Sequence, residues 1–410
     1  MKVAAMPKSP PPTATGPIFE VINNFHDDLV AIRQDIHAHP ELGFEENRTA
    51  DIVAEKLTEW GIEVHRGLGK TGVVGTLRTG NDPNSIGLRA DMDALPILEA
   101  NTFAHRSTDD GKMHACGHDG HTTMLLGAAR YLAETRNFEG CIHFIFQPAE
   151  EAIGGAKAMI ADGLFDQFPC DTVFGMHNSP GLPAGQFAIR PGPMMAGGAL
   201  FDIKVTGNGA HGARPESGID PVVIGAQIIS ACQTIVSRNV PPQQTAVISF
   251  TQFHAGDAYN VIPGEAHIMG TTRAFSQKIM DMIEANMTAT AQGIASAMGG
   301  KAEIDFRVEF LPTVNDPEQT TFAADCAAKL IGETNVNRNR ERIMGSEDFS
   351  YMLNVRPGAY INIGNGDDDG FCQVHNPSYD FNDSVLSHGA AYFATLAETK
   401  LGVKTKPDGS

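Results

Sequence analysis

A short run of cysteine and histidine residues is the strongest chemical feature of this 410-residue sequence. Cys116 and His118 lie two positions apart, and their thiolate and imidazole groups are typical ligands of divalent metal ions. Gly117 and Gly120 flank His118 and would let the backbone wrap closely around an ion. Asp119 is a carboxylate that could orient an imidazole by accepting its second N–H group. The run therefore predicts part of a metal site just before a helix.

A pair of adjacent carboxylates follows an apolar strand predicted for residues 141–146. In open α/β sheets the ligand crevice lies at the carboxyl ends of the strands, which is where Glu150 and Glu151 fall. Adjacent residues point in different directions, so one carboxylate can bind a metal ion while the other acts as a base on bound water. Because paired glutamates are also common in surface turns, this signal gains weight only together with the cysteine and histidine run.

Further segments offer metal-binding side chains at the ends of predicted strands or in loops. His177 follows an apolar run, and His375 lies in a loop bounded by Gly, Asn and Pro residues. Asp91 and Asp93 follow another apolar run and suit the edge of such a site or a supporting position behind the ligands. A single histidine is usually only a hydrogen-bonded polar residue, but the conjunction of all these segments favours one shared metal site.

Composition and charge argue against several classes of protein. Thirty Lys and Arg residues against 49 Asp and Glu residues give a formal net charge of −19, which argues against a nucleic-acid partner. No stretch approaches about 18 uninterrupted apolar residues, so no membrane span is expected. Six scattered cysteines do not suggest a disulfide framework, and a reducing cytoplasm fits them best. Residues 1–16 are rich in Pro, Ser and Thr and are expected to form a disordered leader, not a signal peptide.

Apolar periodicity predicts the elements that would position these side chains. The apolar runs that indicate strands are 72–77, 85–90, 141–146, 172–176 and 359–364. The segments with helical spacing are 25–60, with a break at 39–43, then 121–135, 155–162, 321–332 and the region from residue 388 onward. Alternation of strands and helices predicts an α/β fold with a largely parallel sheet.

A change of composition near Gly185 marks a second domain. From residue 200 to residue 311 the patterns predict the order strand, helix, strand, strand, helix, strand, which is typical of the ferredoxin-like split unit. We therefore expect a catalytic α/β domain with a mixed, mainly parallel sheet flanked by helices, interrupted by a smaller ferredoxin-like α+β lid and dimerisation domain. The expected divisions are a leader at 1–16, catalytic parts at 17–186 and 313–410, and the inserted domain at 187–312.

The complete motifs resemble those of the aminoacylase/carboxypeptidase family of two-metal amidohydrolases. The closest likeness is to its branch of hippurate hydrolases, indole-acetyl-amino-acid hydrolases and N-acyl-amino-acid amidohydrolases. The motifs that carry the resemblance are Arg89–Pro96, Cys116–His121, Gln147–Glu151 and His375–Pro377. The likeness extends in order from about Phe25 to Leu401 and includes the inserted domain, so it implies a two-domain metal-dependent hydrolase.

The resemblance implies two divalent metal ions per subunit. The implied ligands are Cys116, His118, Glu151, His177 and His375. Glu150 would be the general base. Relatives that cleave peptides carry a His-x-Asp sequence where this chain has Asp91 to Asp93, and Cys116 is the expected replacement for the missing ligand. A thiolate favours Zn²⁺, while the histidine and carboxylate ligands would also accept Mn²⁺, Co²⁺ or Ni²⁺.

The inserted domain carries signals of its own. Taken alone, His211, Asn260 and Arg273 indicate only turns and an arginine at a strand end. The resemblance implies that His211 polarises the scissile carbonyl in the neighbouring subunit of a homodimer or higher oligomer. It also implies that Asn260 and Arg273 hold the substrate's carboxylate, a task that suits the planar fork of an arginine.

These expectations describe an enzyme whose small-molecule substrate is an N-acyl or N-aroyl amino acid of the hippurate type. Metal-activated water would cleave its amide bond, with Glu150 as the base. A dipeptidase or carboxypeptidase of the same fold is the alternative, although the sequence offers no dedicated acidic pocket for a free ammonium group. A third hypothesis is a metal-binding protein without activity, and the presence of Glu150 beside Glu151 argues against it.

Overall fold

The computed structural model describes residues 10–151, 154–366 and 372–402 and divides the chain into two compact units. Unit 1 contains the described residues of Met1–Gly192, Val314–Glu341 and Tyr351–Ser410. Unit 2 contains those of Pro193–Thr313 and Arg342–Ser350. These boundaries differ from the expected insertion at 187–312, because unit 2 begins later and includes a second, short segment.

The helices and strands of the described residues are numbered in chain order. The helices are α1 (Pro17–Asn23), α2 (His26–Ala38), α3 (Asn47–Glu59), α4 (His118–Thr135), α5 (Gly155–Ala161), α6 (Leu164–Gln167), α7 (Pro221–Thr234), α8 (Gln277–Ala297), α9 (Pro317–Ile331), α10 (Ser350–Val355) and α11 (Leu386–Leu401). The strands are β1 (Glu63–Leu68), β2 (Gly72–Thr79), β3 (Ser85–Asp91), β4 (Gly140–Gln147), β5 (Thr172–Pro180), β6 (Phe187–Ala188), β7 (Gly192–Met195), β8 (Gly197–Thr206), β9 (Ala210–His211), β10 (Ala246–His254), β11 (Val261–Ile262), β12 (Glu265–Ala274), β13 (Lys301–Phe310), β14 (Thr313–Asn315), β15 (Val336–Asn337) and β16 (Gly358–Gly366).

Unit 1 is built on an eight-stranded sheet with the order β1-β2-β4-β3-β5-β16-β6-β15. The central strands β4, β3, β5 and β16 are mutually parallel, whereas β1, β2 and β4 pair antiparallel. Every residue of β3, β4 and β16 is buried, which is typical of parallel strands covered on both faces. The expected mixed, mainly parallel sheet is therefore confirmed.

The strand register brings segments that carry candidate site residues together at the carboxyl ends of the central strands. Asp91 at the end of β3 lies opposite Gln147 at the end of β4. The segments that carry Asp93 and Glu150 therefore start side by side. His177 lies within β5, which continues to Pro180, beyond the predicted strand end at residue 176.

Helix α4 lies in the core and begins three residues before the predicted helix, at His118. Gly117 before it has φ 91°, and this left-handed residue ends the preceding loop. Leu125 and Leu126 are fully buried, as are most of the other side chains of the helix. Because buried residues lie on nearly every side of α4, other elements must cover it, and it packs against β3, α2 and α11.

Two expectations about unit 1 need correction. Strand β1 was not predicted because its residues are mostly exposed and form no apolar run. The expected disorder of the leader is wrong for residues 12–15, because they are tied to the core. The Thr15 N–H donates to the Leu330 carbonyl oxygen at 3.0 Å, and His388 Nε2 lies 3.0 Å from the Pro12 carbonyl oxygen. Residues 1–9 of the leader lie outside the described residues.

Unit 2 has a four-stranded antiparallel sheet with the order β10-β12-β8-β13. Its chain order β8-α7-β10-β12-α8-β13 confirms the ferredoxin-like unit. Phe201 and Ile203 on β8 pack with Ile283 and Met287 on α8 in an apolar cluster of its own. Asp220 caps α7 by accepting the Val222 N–H at 2.9 Å. Among the described residues of either unit, no helix has the length and apolar composition needed to cross a membrane.

Candidate metal centre

The loop before α4 brings Cys116 and His118 to one side of the site. Gly117 between them adopts a positive φ, and a Cβ there would lie 2.3 Å from the Asn178 amide nitrogen and 2.6 Å from the Tyr379 hydroxyl oxygen. The Asn178 amide donates to the Cys116 carbonyl oxygen at 2.6 Å and accepts from Tyr379 at 2.7 Å. The loop is thus fixed at close range, and a larger residue at position 117 would displace these groups.

The described residues contain five groups of side chains that could hold a metal ion, and two of these groups share Cys116. One group comprises Cys116, His118 and His177, and the other comprises Cys116, Glu151 and His375. In each group the ligand atoms lie within 4.8 Å of one another. Cys116 Sγ is 3.3 Å from His177 Nε2, and His375 Nε2 is 3.1 Å from Glu151 Oε1. The structure therefore brings together all five side chains expected as ligands, and Cys116 is common to both groups.

His177 presents one defined nitrogen to the site. Its Nδ1 lies 2.6 Å from the Asn178 carbonyl oxygen, which can only accept, so Nδ1 carries the hydrogen. Nε2 is then the unprotonated nitrogen, and it faces Cys116. Burial, followed by the neighbouring His121, holds the pKa of His177 well below its usual value. A neutral imidazole oriented by a backbone carbonyl is the form that binds metal ions.

The buried ring nitrogens of His118 indicate whether a cation fits this site. Its Nδ1 is 3.2 Å from Asp93 Oδ1, while its Nε2 is buried and has no hydrogen-bond partner among the described residues. An unsatisfied buried polar atom costs roughly 1–3 kcal/mol, so such atoms are rare. A divalent cation bound to Nε2 would satisfy it, and the sulfur, imidazole and carboxylate donors nearby are those that Zn²⁺ uses in proteins. The residues present therefore fit a metal ion.

A third group of ligand-type side chains comprises Asp91, His118 and His121, and in it Asp91 and His121 are already engaged by hydrogen bonds. His121 Nδ1 is 2.6 Å from Asp91, and its Nε2 accepts the Asn178 backbone N–H at 3.0 Å. Asp91 also accepts from Arg89 at 2.7 Å. Burial acts to raise the pKa of Asp91, but His118, Arg89 and His121 together hold it well below its usual range. Asp91 and His121 therefore form hydrogen bonds next to the candidate ligands, one of them to the residue that follows His177.

Asp119 faces away from the candidate ligands, which corrects its expected role beside a ligand imidazole. Consecutive helical residues point about 100° apart, so Asp119 on α4 turns to α2 instead. Its carboxylate lies 2.8 Å from His37 Nδ1 and 3.4 Å from Arg33 Nη1, and all three side chains are buried. His37 Nε2 is 3.2 Å from Glu99. Burial lowers the pKa of His37, but hydrogen bonds to Asp119 and Glu99 outweigh this effect and raise it to about 9.

Glu150 and Glu151 lie beyond the end of β4 and contact different partners. Ala149 before them has φ 51°, a left-handed conformation that residues other than glycine rarely adopt. The Glu151 N–H donates to Asp93 at 3.0 Å, and the Glu151 carboxylate belongs to the second ligand group. Glu150 is only 6 % exposed, and its carboxylate lies within 4.8 Å of the ligand atoms of His118 and Glu151. The Glu151 carboxylate thus belongs to the ligand group of Cys116 and His375, and the Glu150 carboxylate lies close to that of Glu151.

The surroundings of His375 and Cys116 raise the pKa of both side chains. The His375 N–H donates to the Ala115 carbonyl oxygen at 2.7 Å, which anchors its loop. A hydrogen bond to Glu151 raises the pKa of His375, and burial opposes this only in part. Burial, followed by the charges of Glu151 and Glu150, raises the pKa of the Cys116 thiol well above its usual value. A bound cation would reverse both shifts, because it favours the thiolate and the neutral imidazole.

The residues expected to contact the substrate from the lid all lie in unit 2. His211 on β9 is exposed, and the Gly212 N–H donates to the Asn260 carbonyl oxygen at 2.7 Å, so the two segments are neighbours. Arg273 lies on β12, where its Nη1 donates to the Thr271 hydroxyl at 2.5 Å and to a backbone carbonyl at 2.9 Å. The structure therefore groups His211 with Asn260 and fixes the guanidinium of Arg273 on the four-stranded sheet.

Two residues that hold the loop of Cys116, Asn178 and Tyr379, were not identified from the sequence. Asn178 directly follows a candidate ligand and Tyr379 lies four positions after another, so proximity to a motif was the only available signal. Their hydrogen bonds link segments distant in sequence, and no local pattern reports such pairing.

Comparison with known proteins shows similarity along almost the whole chain. Residues 87–399 match peptidase family M20/M25/M40. The hippurate hydrolase of Campylobacter jejuni is 46 % identical over 376 residues, which cover 92 % of this chain and 97 % of that protein. The N-acetylcysteine deacetylase of Bacillus subtilis is 38 % identical, over 91 % of this chain and 97 % of the relative.

Two further similarities bear on the range of activities and on the metal. Thermostable carboxypeptidase 2 of Saccharolobus solfataricus is 39 % identical, over 92 % of this chain and 96 % of that protein. Among solved structures, the YXEP protein of Bacillus subtilis is described as a dinuclear metal binding peptidase from the M20 family. It matches with a TM-score of 0.81 and 34 % identity, over 92 % of this chain and 99 % of that one.

Proposed function

The chain belongs to peptidase family M20/M25/M40 and is a hydrolase of amide bonds, and we propose on that premise that it cleaves N-acyl or N-aroyl amino acids. The observation that carries the proposal is the pair of ligand groups sharing Cys116, with the buried Glu150 beside them. Identity of 46 % to a hippurate hydrolase supports a hippurate-like substrate, in which an aromatic acyl group is joined to an amino acid.

Two divalent cations would be held by the five ligand side chains of unit 1. Cys116 would be shared, with His118 and His177 on one side and Glu151 and His375 on the other. A thiolate is a soft donor that suits Zn²⁺, and the imidazole and carboxylate donors also accept Mn²⁺, Co²⁺ or Ni²⁺. The solved relative with a dinuclear metal site supports the count of two.

Glu150 would perform the proton transfers of the reaction. When bound, the cations would supply Lewis acidity, which would lower the pKa of water and stabilise negative charge on the amide oxygen. Glu150 takes a proton from the attacking water as the new C–O bond forms. When the C–N bond breaks, Glu150 passes this proton to the departing nitrogen, so a carboxylic acid and a free amino acid result. Its burial beside the ligands keeps this proton from exchanging freely with solvent.

The lid residues would recognise the two polar ends of the substrate. His211 would donate a hydrogen bond to the scissile carbonyl oxygen, and Asn260 and Arg273 would bind the carboxylate of the amino-acid part. The fixed, half-buried guanidinium of Arg273 supports this role, because an arginine fork can grip a carboxylate with two parallel hydrogen bonds. The exposure of His211 suits a group that acts outside its own domain.

A carboxypeptidase or dipeptidase activity is the second candidate. The similarity to a thermostable carboxypeptidase favours it, since that protein shares almost the full length of the chain. Peptide substrates differ from acyl amino acids by a free ammonium group near the scissile bond. The two candidates therefore predict opposite responses to that charge.

A kinetic panel of three glycine derivatives distinguishes the candidates. Benzoylglycine and acetylglycine carry a neutral acyl group. Glycylglycine differs from acetylglycine only by an ammonium group on the carbon next to the scissile carbonyl. We expect kcat/KM for benzoylglycine to exceed that for glycylglycine at least ~100-fold, because a desolvated charge without a partner is costly. Faster cleavage of glycylglycine would contradict the proposal and support the peptidase.

A further inference from the structure

The turn that carries the two glutamates is tightly constrained at both ends. Ala149, immediately before Glu150, has φ 51°. The Ala149 carbonyl oxygen accepts the Gly155 N–H at 2.9 Å, and a Cβ on Gly155 would lie only 1.6 Å from the Pro148 carbonyl oxygen. An alanine in the left-handed region is strained, so the surrounding structure must hold it there.

Glu46 supplies a contact that holds this turn. Its side chain is fully buried, and its Oε1 accepts the Ala149 N–H at 2.8 Å. Its Oε2 accepts the hydroxyl hydrogen of Thr71 at 2.5 Å, which fixes the carboxylate from the other side. Glu46 comes from the segment before α3 and Thr71 from the turn between β1 and β2. One buried carboxylate therefore connects three segments.

The position of Glu46 in the chain makes this contact informative. A polar residue directly before a helix usually caps that helix, but Glu46 makes no such bond. Glu41 takes the capping role instead, since its carboxylate accepts the N–H groups of Arg48 and Thr49 at 2.9 Å each. The Glu46 carboxylate is thereby left for Ala149.

The Glu46 bond fixes the peptide plane before Ala149, and the bond from the Gly155 N–H to the Ala149 carbonyl oxygen fixes the peptide plane after it. The two bonds together therefore hold Ala149 in the left-handed conformation, and its φ angle sets where Glu150 begins. Glu151 has a second anchor, because its own N–H donates to Asp93. Loss of the Glu46 contact should therefore displace Glu150 more than Glu151.

We propose that Glu46 is a positioning residue for Glu150, acting through the strained peptide of Ala149. The inference rests on the proposed function, in which Glu150 transfers the proton. Glu46 does not touch the substrate or the metal ligands in this role. It sets the turn geometry in which the general base faces the reacting groups.

Three variants test the proposal by steady-state kinetics and by metal analysis. Glu46→Ala should lower kcat for benzoylglycine ~100-fold, with KM and bound metal little changed, because a displacement of about 1 Å can cost that much. Glu46→Gln should remain within ~10-fold of the wild type, since an amide oxygen still accepts the Ala149 N–H. Adding Ala149→Gly to Glu46→Ala should restore kcat ~10-fold, because glycine adopts the left-handed conformation without strain.

Glu41→Ala is the matched control, because Glu41 is a nearby, partly buried glutamate whose carboxylate also accepts backbone N–H groups. It should lower the melting temperature and leave kcat within ~3-fold, since its loss affects a helix cap and not the turn. Should Glu46→Ala fail to fold, Thr71→Val replaces it, because this change loosens the same carboxylate and should lower kcat several-fold.

The outcomes separate this inference from the proposed function. If Glu150→Gln is inactive but Glu46→Ala keeps its kcat, the positioning role is wrong and the proposed base stands. If Glu46→Ala loses activity only in proportion to lost metal, with Glu46→Gln equally poor and no rescue by Ala149→Gly, the role is merely structural and the inference is overturned. If Glu150→Gln is fully active, the proposed function itself fails.

Discussion

At the scale of single residues, neighbouring side chains of the same type have different surroundings, and we propose different tasks for them. Glu150 and Glu151 are adjacent, yet the Glu151 carboxylate lies with Cys116 and His375, whereas Glu150 is buried beside them. The strained peptide of Ala149 and the bond from Glu151 to Asp93 create this divergence. In the proposed mechanism, a ligand and a base would thus be separated by backbone geometry and not by residue type.

We expect the two glutamates to respond differently to the same isosteric substitution. Glu150→Gln should keep its metal content and lose about 10²–10⁴-fold or more in kcat, because general acid–base transfer is worth that much. Glu151→Gln should lose metal, since a neutral amide is a weaker ligand. Metal analysis and kinetics on the same samples make the comparison. If Glu150→Gln lost the metal and Glu151→Gln retained it, the two assignments would be reversed.

At the scale of elements, α4 is the platform of the centre. His118 begins the helix and faces the ligands, while Asp119 faces α2. The buried Arg33 reaches Asp119 and also Asp383, whose segment follows the loop of His375. Ion pairs with α2 therefore tie together two of the segments that carry candidate ligands. Burial makes this arrangement sensitive to the charge of each member.

The charge of His37 predicts a stability change at alkaline pH. Its folded pKa of about 9 lies above the ordinary value of 6.5, so its ionised form stabilises the fold fully below about pH 6.5 and loses that contribution as the pH rises through 9. The loss should reach about 3 kcal/mol at most. Denaturant titrations of metal-free protein between pH 6 and 10 would measure it.

A matched substitution identifies the source of that alkaline change. In His37→Gln the fall in stability between about pH 6.5 and 9 should largely disappear. His143→Gln is the control, because burial lowers the pKa of His143 to about 4 and its effect belongs to acid pH. An unchanged alkaline slope in His37→Gln would show that another group causes it.

The buried strands and the ligand-type residues could be predicted from the sequence, whereas exposed strands and long-range contacts could not. Strands such as β3 and β4 were predicted because apolar runs mark them. Ligand-type Cys, His and Glu residues were noted because they stand at strand ends or glycine-rich turns, but the choice of the five ligands came from the family resemblance. The exposed strand β1 had no such pattern. The contacts of Glu46 and Asn178 could not be predicted, because a long-range hydrogen bond leaves no periodic trace in the chain.

At the scale of the whole molecule, the inserted unit 2 exposes apolar side chains that would suit a partner surface. Val222 and Val223 on α7 are 37 % and 46 % exposed, and Val247 on the edge strand β10 is 38 % exposed. An exposed strand edge is a template for pairing with another chain, and a two-fold dimer is the commonest homo-oligomer. These features support the proposed homodimer and a donated His211.

Mixing two inactive variants tests whether His211 acts across subunits. His211→Ala should be nearly inactive and keep its metals, because the residue lies outside the ligand groups. A heterodimer with Glu150→Gln contains one site with both Glu150 and a donated His211. An equal mixture should therefore regain about a quarter of wild-type activity after subunit exchange. If heterodimers form and activity does not return, His211 does not act in trans.

The central claim is that this centre hydrolyses the amide bond of an N-acyl amino acid with the help of two metal ions. The most direct measurement is the initial rate of benzoylglycine hydrolysis as Zn²⁺ or Mn²⁺ is added stepwise to metal-stripped protein. The account predicts negligible turnover without metal and a rate that rises to a plateau near two ions per chain, a count supported by the two ligand groups that share Cys116. Full activity in the stripped protein, or no hydrolysis after two ions have bound, would contradict it.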